Sequence, residues 1–168
     1  ENTITCLNYA VSDSKETLQF ELSEDNWGDH RVRKSIPGTK PEERYDESKR
    51  QTISVEADTL GNLLANLDKK FCNDISVLWI DVQGYEGYVF AGGKEILSKG
   101  IPAVSELWPY AIQRSGMSQE TFCGIVGEIW SFFWVKRKGK FVKYPIDILY
   151  TLFDELGYDG DYDNVIFT

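Results

Sequence analysis

Residues 75–86 read Ile-Ser-Val-Leu-Trp-Ile-Asp-Val-Gln-Gly-Tyr-Glu, and the fold turns on them. The run from Ile75 to Val82 is almost unbroken apolar sequence, the pattern of a parallel strand covered on both faces. Asp81 falls near its end, where an ionised carboxylate is costly unless paired or at the sheet's edge. Gly84 lets the chain turn sharply. Glu86 then opens an amphipathic stretch to about Leu97, in a first helical turn whose dipole favours an acid. Strand, acid, glycine, helix is the unit from which α/β domains are built.

Outward from this unit, strands and helices alternate. Upstream, residues 3–11 and 17–22 read as strands, as do residues 52–56. Asp58 is placed to cap a helix to about Lys70, with Leu60, Leu63, Leu64 and Leu67 on one face. Downstream, residues 101–107 read as a strand and Ser118 caps a helix over 119–130. Residues 132–136 read as a strand, Pro145 suits a first helical turn, Gly157 a helix stop and residues 164–167 a last strand. The expectation is an α/β fold with a mainly parallel sheet. Between the second and third strands, residues 23–51 are polar, charged and broken by Pro and Gly. They read as one long loop, of the kind that is functional or disordered.

Bulk properties narrow the function. A chain of 168 residues makes one domain, so residues 1–168 are read as a single unit. Its formal charge is 18 − 27 = −9, which repels nucleic acid and anionic lipid. Residues 134–140, WVKRKGK, form a short basic run read as a solvated hairpin or strand end rather than a phosphate site. Cys6, Cys72 and Cys123 are odd in number, scattered and without a CxxC, as in reduced thiols of a cytoplasmic protein. No apolar run reaches the roughly 20 residues of a membrane span, and no signal peptide is visible. The chain enters strand-like sequence directly from Glu1, a start that reads as cut.

Ligands of open α/β sheets bind at the carboxyl ends of the strands. That rule selects Ala10 and Val11, with Ser12 and Asp13, after the first strand. It selects Asp81, Gln83, Gly84 and Glu86 after the buried one, and Glu106, Trp108 and Tyr110 after the next. Asp81 either caps the following helix or serves a ligand, and Trp108 and Tyr110 either wall a pocket or fill core. His30 is the sole histidine and the one side chain with an ordinary pKa near neutrality. It becomes a candidate base if its loop covers the cleft.

The blocks ITCLNYAVSD, NWGDHRV, IDVQGYEGYVFAGG and SELWPYAIQRSG, in that order, resemble the later part of FkbM-type methyltransferases. The resemblance implies a Rossmann-like class I methyltransferase sheet flanked by helices. It implies methyl transfer from S-adenosylmethionine to a hydroxyl of a small acceptor, a metabolite or sugar. By resemblance, Ala10 and Val11 lie under the adenine, and Asp81 and Gln83 lie beside the cofactor. From their place at the strand ends and their chemistry, Asp81, Glu86 and His30, in that order, are the candidates to orient the acceptor or take its proton, and Glu106, Trp108 and Tyr110 are the candidate acceptor contacts. Many members have Glu at the position of Gln83, and a Gln cannot act as a base. No metal site is expected; a divalent ion on Asp81 and Glu106 is the lesser alternative. The family's strand order is three, two, one, four, five, seven, six. The first two strands, the Gly-rich turn and the ribose-binding acid are not found here. The expectation is therefore two unpaired sheet edges, low stability and weak cofactor binding.

Two other readings compete. A non-catalytic remnant or binding module of the same fold is one. The other is a nucleotide switch, because Asp81-Val-Gln-Gly84 matches the Asp-x-x-Gly block of GTPases. The chain has neither a G-x-x-x-x-G-K-[ST] loop nor an Asn-Lys-x-Asp.

Overall fold

The computed structural model describes residues 4–34, 45–67 and 74–168. Fourteen elements concern the site. In chain order they are β1 (Ala10–Ser12), β2 (Glu16–Glu21), β3 (Arg31–Arg33), β4 (Thr52–Thr59), α1 (Leu60–Ala65), β5 (Leu78–Ile80) and α2 (Glu86–Leu97). There follow β6 (Ala103–Leu107), α3 (Pro109–Arg114), α4 (Gln119–Gly127), β7 (Phe132–Arg137), β8 (Lys140–Pro145), α5 (Leu149–Leu156) and β9 (Asp163–Phe167). The chain is α/β, but its strands form two mixed sheets, ordered β1-β4-β2-β3 and β5-β6-β9-β7-β8. Only β1 with β4 and β5 with β6 run parallel; the other pairs are antiparallel. The expectation of a mainly parallel sheet is thus corrected. Hairpins at β2–β3 and β7–β8, and the return of β9 beside β6, add antiparallel ladders that alternation of strands and helices does not reveal. Among the described residues, β1, β3, β5 and β8 are the edge strands, each with one ladder partner.

The larger core lies under the five-stranded sheet. Alternate residues of its strands, among them Ile80, Ala103, Leu107, Phe133, Val135, Val165 and Phe167, meet the apolar faces of α2, α4 and α5. Phe90, Phe122, Phe153 and Phe167 are fully buried. Each such side chain contributes roughly 1.5–3 kcal/mol of transfer free energy. Phe90 sets its edge against Phe167 at 5.7 Å, and Trp130 stacks on Phe167 at 5.2 Å. Coverage is one-sided: Trp79, on the other face of β5, is 73% exposed. The apolar run is therefore not buried on both faces among the described residues. Leu18, Val32, Ala57 and Tyr85 form a second, smaller core.

Several local expectations shift. The first strand is three residues long, and Ile4, Leu7 and Tyr9 before it are exposed. Residues 23–51 are not one loop: 3-10 turns occupy Trp27–Asp29 and Glu47–Lys49, and β3 pairs with β2. Thr59, not Asp58, caps α1 by accepting from the Asn62 N–H, while Asp58 braces Asn62 and the Thr59 amide. The end of the expected helix, 68–70, lies outside the described residues, as does Cys72. Cys6 and Cys123 are free thiols, and burial pushes the Cys123 thiol up to about 11. No described helix is long and apolar enough to cross a membrane.

Candidate active site at the ends of β5 and β6

The register of the β5–β6 pair builds the site. Ile80 lies opposite Ser105, so Asp81, leaving β5, stands beside Glu106, which is still paired with β9. The chain then folds back through two left-handed residues, Gln83 at φ 54° and Gly84 at φ 95°. A side chain at Gly84 would meet the Ala111 carbonyl carbon at 2.3 Å, so glycine is required there by space as well as by φ. This turn brings the Gln83 amide back over the strand ends. Its Nε2 donates to Asp81 Oδ1 at 2.7 Å and reaches Glu106 Oε2 at 3.4 Å.

A cleft of about 550 Å³ opens beside this trio. Among the described residues it is lined by Gln83, Glu106, Asp29, Arg50 and Trp108, with Tyr45 and Tyr162 packed beside Trp108. Glu106 is half-buried, and burial together with the negative charges of Asp81 and Asp29 pushes its carboxyl up to about 7. A carboxyl at that value takes or gives a proton near neutrality. Next to the turn, Ser12 Oγ at the carboxyl end of β1 and Tyr85 Oη are 3.0 Å apart, both buried and outside the cleft lining. Among the described residues no three His, Cys, Asp or Glu side chains are grouped to hold a metal ion.

A family model described as the methyltransferase FkbM domain matches residues 1–158. The chain belongs to the FkbM methyltransferase family. No curated protein and no solved structure gives a match.

In this FkbM domain, three of the residues selected from sequence, Gln83, Glu106 and Trp108, line the cleft, and Asp81 adjoins them through Gln83. Ala10 and Val11 stand at the start of β1, Ala10 against the smaller core and Val11 against the larger, and neither lines the cleft. Tyr110 is buried away from it, its hydroxyl donating to Glu47 Oε1 at 2.7 Å. His30 is not in the cleft wall either. Its Nδ1 accepts the Ser23 N–H at 2.9 Å, which leaves the neutral ring a donor at Nε2 rather than a base. Sequence reasoning missed Asp29, Tyr45, Arg50 and Tyr162. Tyr162 reaches the cleft because β9 starts antiparallel opposite the end of β6, with Asp163 facing Leu107, a return that the sequence pattern does not disclose.

Glu86 is fully buried. Its Oε1 accepts the Val82 and Gly84 N–H groups, both at 3.2 Å, and so holds the turn that presents Gln83. Oε2 is buried without a hydrogen bond. Burial, opposed by those amides and aided by Glu106, pushes its carboxyl up to about 7. The unfolded chain ionises near 4.5, so between 4.5 and 7 the folded state binds the extra proton. Stability contributed here is complete below about 4.5, falls as pH rises to about 7 and is level above. Glu86→Gln keeps the acceptor oxygen and cannot ionise. We expect the variant to lose this pH dependence, so that its stability relative to the parent rises between pH 5 and pH 8. Urea titrations at pH 5 and pH 8 check it; an equal pH slope in parent and variant would overturn the assignment.

Proposed function

We propose that this FkbM domain is an S-adenosylmethionine-dependent methyltransferase that methylates a hydroxyl oxygen of a small acceptor, with Glu106 as the general base. The observation that carries the reading is the Glu106 carboxyl, held near neutral pKa at the carboxyl end of a sheet strand, beside a cleft, and bridged to Asp81 by Gln83. The order β5-β6-β9-β7, with β9 the antiparallel strand between two parallel ones, supports it. It matches the four-five-seven-six run of the Rossmann-like methyltransferase sheet.

The donor chemistry of the site fits the cofactor. A sulfonium is a cation, and the charges of Asp81 and Asp29 raise the cost of ionising Glu106, a cost that a neighbouring positive charge relieves. When bound, the cofactor supplies an electrophilic methyl carbon. The protein's part is alignment and proton removal. Glu106 accepts the hydroxyl proton as the oxygen attacks. Gln83 holds Asp81 and Glu106 in fixed relation, and Asp81 stays beside the donor. Glu86 positions that trio and does not touch the reactants. Alignment of this kind is worth roughly 7–11 kcal/mol of barrier in favourable cases.

Calorimetric titration of S-adenosylhomocysteine tests the cofactor reading, since the product binds without turnover. The protein should be used both as these 168 residues and as the longest natural gene product that contains them. Binding by either form supports the proposal. Binding by the longer form alone locates the missing contacts outside this chain. If neither binds, the binding-module reading replaces it.

A further inference from the structure

The formal charge of −9 is not evenly spread along the chain. The β7–β8 hairpin, residues 132–145, carries five cations, Lys136, Arg137, Lys138, Lys140 and Lys143, and no acid. The rest of the chain is left with 13 cations and 27 acids, a formal −14. β8 is an edge strand, at the opposite side of its sheet from β5. Strand alternation sorts the hairpin's side chains into two faces. Phe133, Val135 and Tyr144 join the larger core, which α2, α4 and α5 cover. Arg137 is held by Asp163 and Glu155, each at 2.8 Å. The outer face carries the cross-strand pairs Phe132–Pro145, Trp134–Lys143 and Lys136–Phe141. On it Phe141 is 57% exposed and Phe132 38%. The neighbouring β9 sets Ile166 opposite Trp134 and adds no charge to this face. Lys136, Lys138, Lys140 and Lys143 are exposed, and among the described residues none of them has an ion pair.

Rings and ammonium groups thus alternate on one flat, outward face. Lys143 Nζ lies 3.7 Å from the Phe132 ring centre and 5.5 Å from that of Trp134, so a cation already occupies those ring faces. The bases of a single-stranded nucleic acid need such faces open for stacking. A flat face has no walls to enclose a small anion. An acidic polypeptide answers the charge but leaves the exposed rings of Phe132 and Phe141 without an apolar partner. A lipid surface answers both: anionic headgroups attract the amines within a Debye length, and aromatic rings settle at the headgroup level. The acidic remainder of the chain is repelled by the same surface, which fixes the orientation. We infer that the outer face of the β7–β8 hairpin docks on an anionic lipid surface, a property independent of the methyltransferase reading. Lys136 and Lys143 meet the headgroup phosphates, and the Phe132 and Phe141 rings enter beside them.

Vesicle sedimentation with the intact protein tests this, using phosphatidylcholine alone and phosphatidylcholine with about one-third phosphatidylserine. Binding to the anionic vesicles is expected, and about tenfold less or weaker still to the neutral ones. Lys136→Gln combined with Lys143→Gln should weaken it about tenfold to thirtyfold, and Phe141→Ser about threefold or more. Lys99→Gln, which removes an exposed lysine outside the hairpin, should bind as the parent does. Circular dichroism checks that each variant is folded. No binding to the anionic vesicles, equal binding to both compositions, or folded hairpin variants that bind like the parent each overturns the inference. Oligothymidylate and polyglutamate are run beside the vesicles. Capture of either one in place of the vesicles assigns the face to a nucleic acid or an acidic protein and overturns the lipid assignment.

Discussion

Glu106→Gln should lower kcat by about a hundred- to ten-thousand-fold, the range for removal of a positioned general base. It should leave S-adenosylhomocysteine affinity within about threefold, because the amide keeps the shape and the hydrogen-bonding capacity of the carboxyl. Three features put Glu106 in this role. The carboxyl stands at the cleft wall, it is half-buried, and it shares Gln83 with Asp81. The pH profile makes the role specific. Burial and the charges of Asp81 and Asp29 push Glu106 up to about 7. Only the ionised form takes a proton, so kcat/KM should rise tenfold per unit below about 7 and level off above. Asp81→Asn removes one of the neighbouring negative charges, so the midpoint should move to lower pH. A residue that merely shaped the site would lower activity at all pH values alike. Undiminished turnover in Glu106→Gln, or an unmoved midpoint in Asp81→Asn, would remove Glu106 from the chemistry.

Much of this was legible in residues 75–107. The β5–turn–α2 unit, the acid at Asp81 and the partner strand ending at Glu106 follow from an apolar run, a glycine and a second run of the same kind. Helix starts were readable where a short polar side chain precedes an apolar period, and Ser118 does cap α4. Sequence was weaker wherever partners are distant. Alternation cannot say which strand returns antiparallel, so β9 beside β6, and with it Tyr162, stayed hidden. Glu86 read as an ordinary first-turn acid, and only its burial shows that it binds the amides of its own turn. His30 drew notice by its chemistry, but the Ser23 amide occupies the nitrogen a base would use. Most opaque was the region 23–51. Its mixed charges look solvated in one dimension, yet several are interior, because each charge's partner lies on another element.

Those interior charges carry the largest expected effect on stability, and Arg31→Ala reads it out: a loss of about 3–5 kcal/mol, the cost of stranding buried charges. Arg31 is 2% exposed, and Glu21 and Glu47 are fully buried. Arg31 Nε donates to Glu21 Oε1 at 2.9 Å, and its Nη2 donates to Glu47 Oε1 at 3.3 Å. Arg33 Nε donates to the other Glu21 oxygen at 2.9 Å, and Arg114 from α3 reaches both Glu21 oxygens at 3.3 and 3.4 Å. Arg114 Nε also lies 3.2 Å from Glu47 Oε1, but without the alignment of a hydrogen bond. Burial alone would push the Glu47 carboxyl up; the Tyr110 hydroxyl, the Tyr45 amide and the Arg114 charge outweigh it and hold it below its ordinary value. Two carboxylates with no access to water thus depend on three guanidinium groups, two from β3 and one from α3. Lysine cannot substitute, since one ammonium does not span Glu21 and Glu47 as a planar fork does, so Arg31→Lys should recover little of the loss. Lys94→Ala breaks an exposed pair with Glu128, 2.6 Å long and with side chains 49% and 63% exposed, and should cost under about 1 kcal/mol. Urea unfolding of the three variants at one pH makes the comparison. Equal effects of Arg31→Ala and Lys94→Ala would mean that water reaches the cluster. A large difference would mean that the cluster holds α3 and the β2–β3 hairpin together, and with them the Asp29 and Trp108 sides of the cleft.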